Sequence, residues 1–419
     1  MSRLGVGKSV RRFGRLRAVS RGRKVVATSL AVVTSIVTIA TVAVVAVGAV
    51  NVLSSTSSPS HLNGVDAGRW VVARDQSGAP VVPSSGGAAG GAGSFNAVSC
   101  PSATECVAVG GDANLGGVAS TSLNGGGTWS QGAMEANEPQ LDAVDCSTTS
   151  VCVAVGQGAT VRSTDGGKTW TSNAIPTTNT TLLGVNCPSA TTCVSVGVSP
   201  NATGPYGGQL LISSNGGTTW SVPTLPASMG ALGSVDCPTS TFCVAVGSSV
   251  VVSNDGGKTW AQRTVSGGTG VLRSVSCLST TTCVAIGANP GVAQDPNAAA
   301  FETVTSDGGA TWSSVAMPPG SATLDVLSCS SSGCQAAGSA FKGTAAPVFV
   351  SSSGSTWTAN QSLGASVTAI SAISCPTGTN CVFVGEKGKS PVTVSTVNGV
   401  ATSGGPVIAQ VRAQRVVAR

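Results

Sequence analysis

Fourteen cysteines and sixteen acidic residues are the side chains here most able to do chemistry. The cysteines fall in seven pairs: Cys100/Cys106, Cys146/Cys152, Cys187/Cys193, Cys237/Cys243, Cys277/Cys283, Cys329/Cys334 and Cys375/Cys381. Each pair runs into Val-x-Val-Gly or a close variant of it. Thiols at this spacing can bridge or ligate zinc. Zinc needs three or four converging ligands, and the sole histidine, His61, stands outside the repeated region. Bridging across a hairpin is therefore expected, provided the loop brings the Cα atoms to about 5 to 6 Å. Closing a loop of this size contributes roughly 2.4 kcal/mol per bridge by chain entropy. No metal and no cofactor is expected.

The carboxylates allow a different chemistry. Asp142, Asp236, Asp325 or Glu302 could supply the pair that a glycosidase uses. A serine-hydrolase relay would have to run through His61, so it is excluded from the repeats. No catalytic residue is assigned on sequence alone.

The elements that must position these groups are repeats. A Gly-rich turn ending in Trp follows six of the pairs, at Trp129, Trp170, Trp220, Trp260, Trp312 and Trp357. From each Trp to the next Cys the step is 17 residues five times and 18 once, whereas from the second Cys to the next Trp it ranges from 17 to 29. Insertions are confined to that one segment. Alternation and turn punctuation divide each unit into four short strands. Units of roughly 40 to 50 residues built this way make a propeller. The fold class is thus all-β: a seven-bladed β-propeller of four-stranded antiparallel blades over residues 94–403, preceded by one N-terminal transmembrane helix.

Ser163-Thr164-Asp165-Gly166-Gly167-Lys168-Thr169-Trp170, its counterpart from Ser253 through Asp255 to Trp260, and that from Thr305 through Asp307 to Trp312 resemble Asp-box (BNR) repeats. Such boxes occur in sialidases, in some β-glucan and xyloglucan hydrolases, in sortilin-type receptors and in the photosystem II assembly factor family. The resemblance implies the propeller fold and leaves the function open, because these families share the turn and not the chemistry. A sialidase-like site would need an arginine cluster, and beyond the linker only Arg162, Arg263, Arg273 and the tail residues Arg412, Arg415 and Arg419 remain. Asn124 and Asn215 replace the Asp, the turn from Ser351 to Trp357 is one residue short, and the seventh unit has only an echo at 395–399. The box reads as a structural device: a short acceptor side chain ties its own turn, glycines supply φ > 0, and the Trp wedges between sheets.

In such a blade the Cys hairpins and the Trp turns share one face, as fasteners. The insertions then share the other, in the loops joining second and third strands, where recognition is usually placed. Those loops, the longest being 198–208, 288–301 and 339–347, hold Tyr206 and Glu302 as candidate ligand-binding residues. The inner strands add Asn96, Asp142, Arg273 and Asp325 near the same end. A small polar residue precedes every first cysteine: Ser99, Asp145, Asn186, Asp236, Ser276, Ser328 and Ser374. That set reads equally as a polar channel ring or as the start of a hairpin turn.

The formal charge of +6 conceals an asymmetry. Residues 1–24 carry nine basic side chains and no acid, leaving 13 basic against 16 acidic beyond, a balance of −3. Nucleic-acid binding by the repeats is not expected. Residues 25–53 form an uncharged apolar run of 29 residues, long enough to span a bilayer. The basic tail before it places the N-terminus in the cytoplasm and the repeats outside, at the cell membrane. A cleaved signal peptide is the other reading, which would make the protein secreted. Residues 54–93 read as a Gly/Ser-rich stalk carrying Trp70. Either 69–74 or 406–411 is expected to complete the seventh blade, with 404–419 as a tail. The expected protein is a monomeric binding or scaffold module for a protein or cell-envelope glycan, the alternative being a glycoside hydrolase or lectin-like module acting on wall polysaccharide.

Overall fold

A computed structural model describes residues 94–403, apart from 113, 115, 200–206, 267–270, 289–299, 322–323, 340–345, 361–366, 378–379, 388–389 and 398–399. Seven sheets stand in a ring, each built from consecutive antiparallel strands in chain order, with one parallel strand added to the fifth. In the first blade these are Ser94–Ser99, Cys106–Gly111, Gly117–Ser122 and Ser130–Gln131. The inner strands of the other blades are Leu141–Cys146, Thr181–Asn186, Leu232–Asp236, Val271–Cys277, Leu324–Ser330 and Ala369–Thr377. Each packs against its neighbours around the ring, the last against the first.

Why these sequences make blades follows from burial on two sides. The second strand of a blade, such as Cys152–Gly156, is buried along its whole length. Its alternate residues serve different neighbours. Cys152 and Ala154 join Val107, Val109 and Ala119 of the first blade, whereas Val153 and Val155 join Leu182, Val185 and Leu211 of the third. Trp170 completes the first of these layers and Trp220 the second. The core is thus a set of seven inter-blade layers, and Val and Ala suit it because thin blades leave little depth for larger side chains.

All seven expected disulfides are present: Cys100–Cys106, Cys146–Cys152, Cys187–Cys193, Cys237–Cys243, Cys277–Cys283, Cys329–Cys334 and Cys375–Cys381. Their Cα atoms stand 3.9 to 4.1 Å apart, nearer than the expected 5 to 6 Å. The reason is register. Cys146 lies directly opposite Cys152 on neighbouring strands, Cys277 opposite Cys283, and Cys329 opposite Cys334. In the first, third and fourth blades the ladder stops one residue short of the bridge, at Ser99 with Val107, Asn186 with Val194 and Asp236 with Val244, and in the seventh it skips the bridge between the pairs Ser374 with Val382 and Thr377 with Asn380. There the disulfide takes over from the backbone pairing.

The second cysteine of each pair does more than fasten its hairpin. Cys193, Cys243 and Cys381 are not surface groups but core side chains, as are Cys106, Cys152, Cys283 and Cys334. Cys193 packs with Val153, Leu182 and Trp220, Cys243 with Val196, Leu210 and Trp260, and Cys381 with Val348, Ile370 and Phe383. Each stands at or next to the start of a largely buried second strand, so the bridge forms part of an inter-blade layer, which accounts for the burial.

The Trp turns are tied internally. Asp165 accepts the Thr169 N–H at 2.9 Å and its hydroxyl at 2.6 Å, while Ser163 accepts the Gly167 N–H at 2.8 Å. Gly166 and Gly167 sit at φ 74° and 84°, a region that side-chain-bearing residues avoid. Asn124 and Asn215 accept the same Thr N–H in their turns, so the amide substitutes for the carboxylate. Hydrogen bonds led by the Thr259 and Thr311 hydroxyls hold Asp255 and Asp307 down to about 2.

Two further details differ from expectation. The fourth strand of the seventh blade is Val400–Ser403, paired with Ser390–Val397. A strand from 69–74 or 406–411 is therefore not needed in that place, and both segments lie outside the described residues. In the third blade the fourth strand shrinks to one bridge, Ile212 with Ser221. The fifth sheet gains a strand, Val265–Ser266, parallel to Trp312–Ala316, which stitches the fourth blade to the fifth.

Candidate functional site

The glycine that ends each Val-x-Val-Gly motif shapes the channel. A Cβ on Gly156 would stand 2.1 Å from the Gln140 carbonyl oxygen, and Gly110, Gly197, Gly247, Gly287 and Gly385 are pressed equally hard by the inner strand of their own blade. Only glycine lets the inner strand lie so close, and there the strand bulges. Leu141 pairs with Gly156 and Ala143 with Val155, so Asp142 is an extra residue. All seven inner strands slip at this point. The skipped residues are Asn96, Asp142, Leu183, Gly233, Arg273, Asp325 and Ser371. Bulges of this kind re-aim a side chain. The residue before each one, Leu141 for example, is buried in the core, and the skipped residue turns to the channel.

Six of these seven line one cavity of about 470 Å³ at the ring's centre. Asp142, Arg273 and Asp325 of the sequence-expected set are therefore brought together. Arg273 and Asp325 form an ion pair, with side chains 46% and 29% exposed. Asp142 accepts only long hydrogen bonds, 3.4 Å each, from Asn96 Nδ2 and Gln140 Nε2. Burial pushes its carboxyl up to about 6, against the lowering effect of Gln140. This acceptor has spare capacity for a ligand's N–H or O–H.

Three residues further along, the polar residue before each cysteine is fully engaged. The Cys187 N–H donates to Asp145 Oδ2 at 2.6 Å and the Cys277 N–H to Asp236 Oδ2 at 2.6 Å. Asn186 Oδ1 accepts from Cys237, and Ser99, Ser276 and Ser328 accept from Cys146, Cys329 and Cys375. Ser374 accepts from Cys100 at 2.9 Å and closes the circle. Every blade holds the next by this clasp. Burial pushes Asp145 and Asp236 up to about 6, offset in part by the Cys N–H bonds, and Asp236 is raised further by repulsion from Asp145.

The other two candidates lie elsewhere. Tyr206 falls outside the described residues. Glu302 is not in an exposed loop: it sits on the strand Phe301–Thr305, fully buried, where Oε2 accepts the Trp357 Nε1–H at 2.9 Å and Oε1 has no partner. The equivalent positions in four other blades hold Ala119, Thr160, Leu210 and Val250, all core-facing. Burial pushes the Glu302 carboxyl up to about 7, against the lowering Trp357 bond. A second cavity, about 750 Å³ at the edge of the first blade, is lined by Asp112, Glu135 and Glu138 with Gln131 and Met134. Among the described residues, no group of three or more His, Cys, Asp or Glu could hold a metal ion.

This arrangement defines the class: a seven-bladed β-propeller with a polar channel mouth. No protein-family model and no curated protein matches the chain. Solved structures do. YCF48 from Cyanidioschyzon merolae is similar over 73% of this chain and 96% of its own, at 17% identity and a TM-score of 0.51. The GH74 xyloglucanase from Xanthomonas campestris is similar over 76% of this chain but 54% of its own, at 14% identity and a TM-score of 0.54. A GH74 enzyme from Niastella koreensis gives 16% identity and 0.52, over 74% of this chain and 53% of its own. The chain spans about half the length of these GH74 enzymes. At such identities the likeness is one of fold.

Proposed function

We propose that the chain is a membrane-anchored, extracytoplasmic propeller that binds a protein segment or a cell-envelope glycan at the channel mouth. The observation that carries this reading is the ring of bulged residues. One backbone device, repeated seven times, presents six side chains of varied chemistry and one bare glycine, Gly233, around the channel. An exposed Arg273–Asp325 pair and an under-used Asp142 acceptor suit a polar ligand of low net charge, such as a loop backbone or sugar hydroxyls. The anchor rests on the basic 1–24 and apolar 25–53 segments, and seven disulfides favour an oxidising compartment.

One observation favours a glycoside hydrolase as the second reading: a carboxyl near 6 at Asp142, in the range of a general acid. Against it, the described residues lining the central cavity include no aromatic to stack on a sugar ring. Glycan-array and peptide-array binding of the purified protein, compared with Asp142→Ala and Arg273→Ala, tests the site. Binding weakened at least about tenfold by either change, about 1.4 kcal/mol, supports it. Turnover of cell-wall oligosaccharides that is lost in Asp142→Asn would replace binding by hydrolysis. Alkaline carbonate extraction of the membrane fraction tests the anchor, since an anchored protein stays with the lipid.

A further inference from the structure

Six inter-blade layers are finished by the same piece of chain. A glycine of each Trp turn, the second in five of them and the single Gly354 in the sixth, lies on the blade before it: Gly167 on Val107 and Thr121, Gly217 on Val153, Gly257 on Val194 and Ile212, Gly309 on Val252, Gly354 on Val284, and Gly126 on Val382 of the seventh blade. The Trp of the turn then fills the layer beside it, as Trp170 does between the first and second blades.

Among the described residues the sixth blade receives no such cover. Its follower, the seventh, joins Ser390–Val397 to Val400–Ser403 directly, with Val397 paired to Val400 and no Gly-Gly-x-Thr-Trp between. Where the turn would rest, the structure has an open cleft of about 410 Å³ lined by Gln335, Val350, Thr356 and Thr358 with the Ser332–Cys334 turn. Gln335 and Val350 are the counterparts of Val107 and Thr121, which Gly167 covers in the first blade. Gln335 stands where every other blade has valine: Val107, Val153, Val194, Val244, Val284 and Val382. This layer is built to a different specification on the side that lacks its turn.

The chain carries a spare part that matches. Of its seven tryptophans, six belong to turns. The seventh, Trp70, stands in Asp66-Ala67-Gly68-Arg69-Trp70-Val71-Val72, an acid and a glycine ahead of the indole and a short apolar run after it. Between Trp70 and the first residue of the inner strand at Ser94 lie 23 residues. Extended at about 3.3 to 3.6 Å each, these can reach up to about 80 Å, more than a propeller's width requires. Their Gly, Ala and Ser content suits a leash.

We propose that the segment 66–74 of the same chain docks in the cleft of the sixth blade, with Trp70 in the place of the missing turn tryptophan. It does not replace a strand of the seventh blade, which Val400–Ser403 completes; it covers the blade next door.

A full-length protein with Gln335→p-benzoylphenylalanine tests this by photo-crosslinking and peptide mapping. The expected product joins position 335 to 66–74 within one chain, in a yield independent of protein concentration. A product between two chains assigns the cleft to a second copy, and products that miss 66–74 also overturn the proposal. Amide hydrogen exchange in full-length Trp70→Ala gives the second readout. Exchange in Val348–Ser351 is expected to rise about tenfold or more, while the matching strand of the fifth blade, Phe301–Thr305, stays unchanged. Equal exchange in both proteins would sink it.

Discussion

Two rings of side chains leave the same seven strands three residues apart, and they use their chemistry differently. In the clasp ring, from Ser99 round to Ser374, all seven positions carry an acceptor and every acceptor takes an N–H from the next blade. In the bulge ring, from Asn96 to Ser371, the backbone repeats but the side chains do not: amide, acid, leucine, glycine, arginine, acid, serine. The difference teaches how to read polar residues in a repeat. Uniform chemistry at a fixed place marks a structural bond, and varied chemistry on a uniform backbone marks a surface free to be used.

The comparison breaks most completely where both rings depend on one atom's absence. Gly156→Val would drive a side chain into the Gln140 carbonyl, so it should cost more than about 3 kcal/mol or prevent folding. Soluble yield and thermal denaturation check this. Next comes the clasp itself. Asp145→Ala leaves the Cys187 N–H without its acceptor and should cost about 1 to 3 kcal/mol. Asp145→Asn should cost far less, since Asn186 already does this work in the following blade.

Titration is a property the rings share, since Asp142 of the bulge ring is raised to about 6 like its clasp counterparts. Asp145, Asp236 and the core residue Glu302 have folded-state values of about 6, 6 and 7, above those of unfolded carboxyls near 4. The folded chain therefore holds more protons between pH 4 and 7, and stability should fall as pH rises through that window. Melting curves at pH 5 and pH 8 measure it. Glu302→Leu, adopting the residue type of Leu210, should raise stability at pH 8 by about 1 kcal/mol and flatten the slope. The indole N–H of Trp357 would lose its acceptor, but Trp220 and Trp312 are buried with none. The smallest loss of stability belongs to the bulge ring: Asp142→Ala should lower stability by no more than about 0.5 kcal/mol while weakening ligand binding. A large loss of stability there would erase the distinction between the rings.

Much of this was legible in the residues. The cysteine pairs and Trp turns disclosed the blades, because each works within its own repeat and leaves a local spacing. The burial of Cys193, Cys243 and Cys381 was less visible, since it depends on the neighbouring blade and not on the hairpin that carries them. The clasps were harder still. Their seven residues could be listed, yet a polar ring and a hairpin start remained equal readings, since the bond that decides joins residues 41 to 53 apart, apart from the closing bond at 274. The bulge did leave a signal. A glycine inside a buried strand marks a bulge or a close approach, and Gly110, Gly156 and their counterparts announce it seven times. Glu302 was misplaced because it follows the longest insertion. Counting back three residues from Thr305, as from Ser163 to Thr160 or Ser213 to Leu210, puts it on an inward-facing position.

The clasps all point one way around the circle. Each blade is acceptor to its successor and donor to its predecessor, and the joint from Ser374 to Cys100 is the same as the six made between consecutive repeats. In its clasps, therefore, the ring has no privileged seam. By the clasps alone, a circular permutation opened at any gap between blades would re-form the same closed circle, whereas deleting one blade would leave an acceptor and a donor facing across a space neither can span.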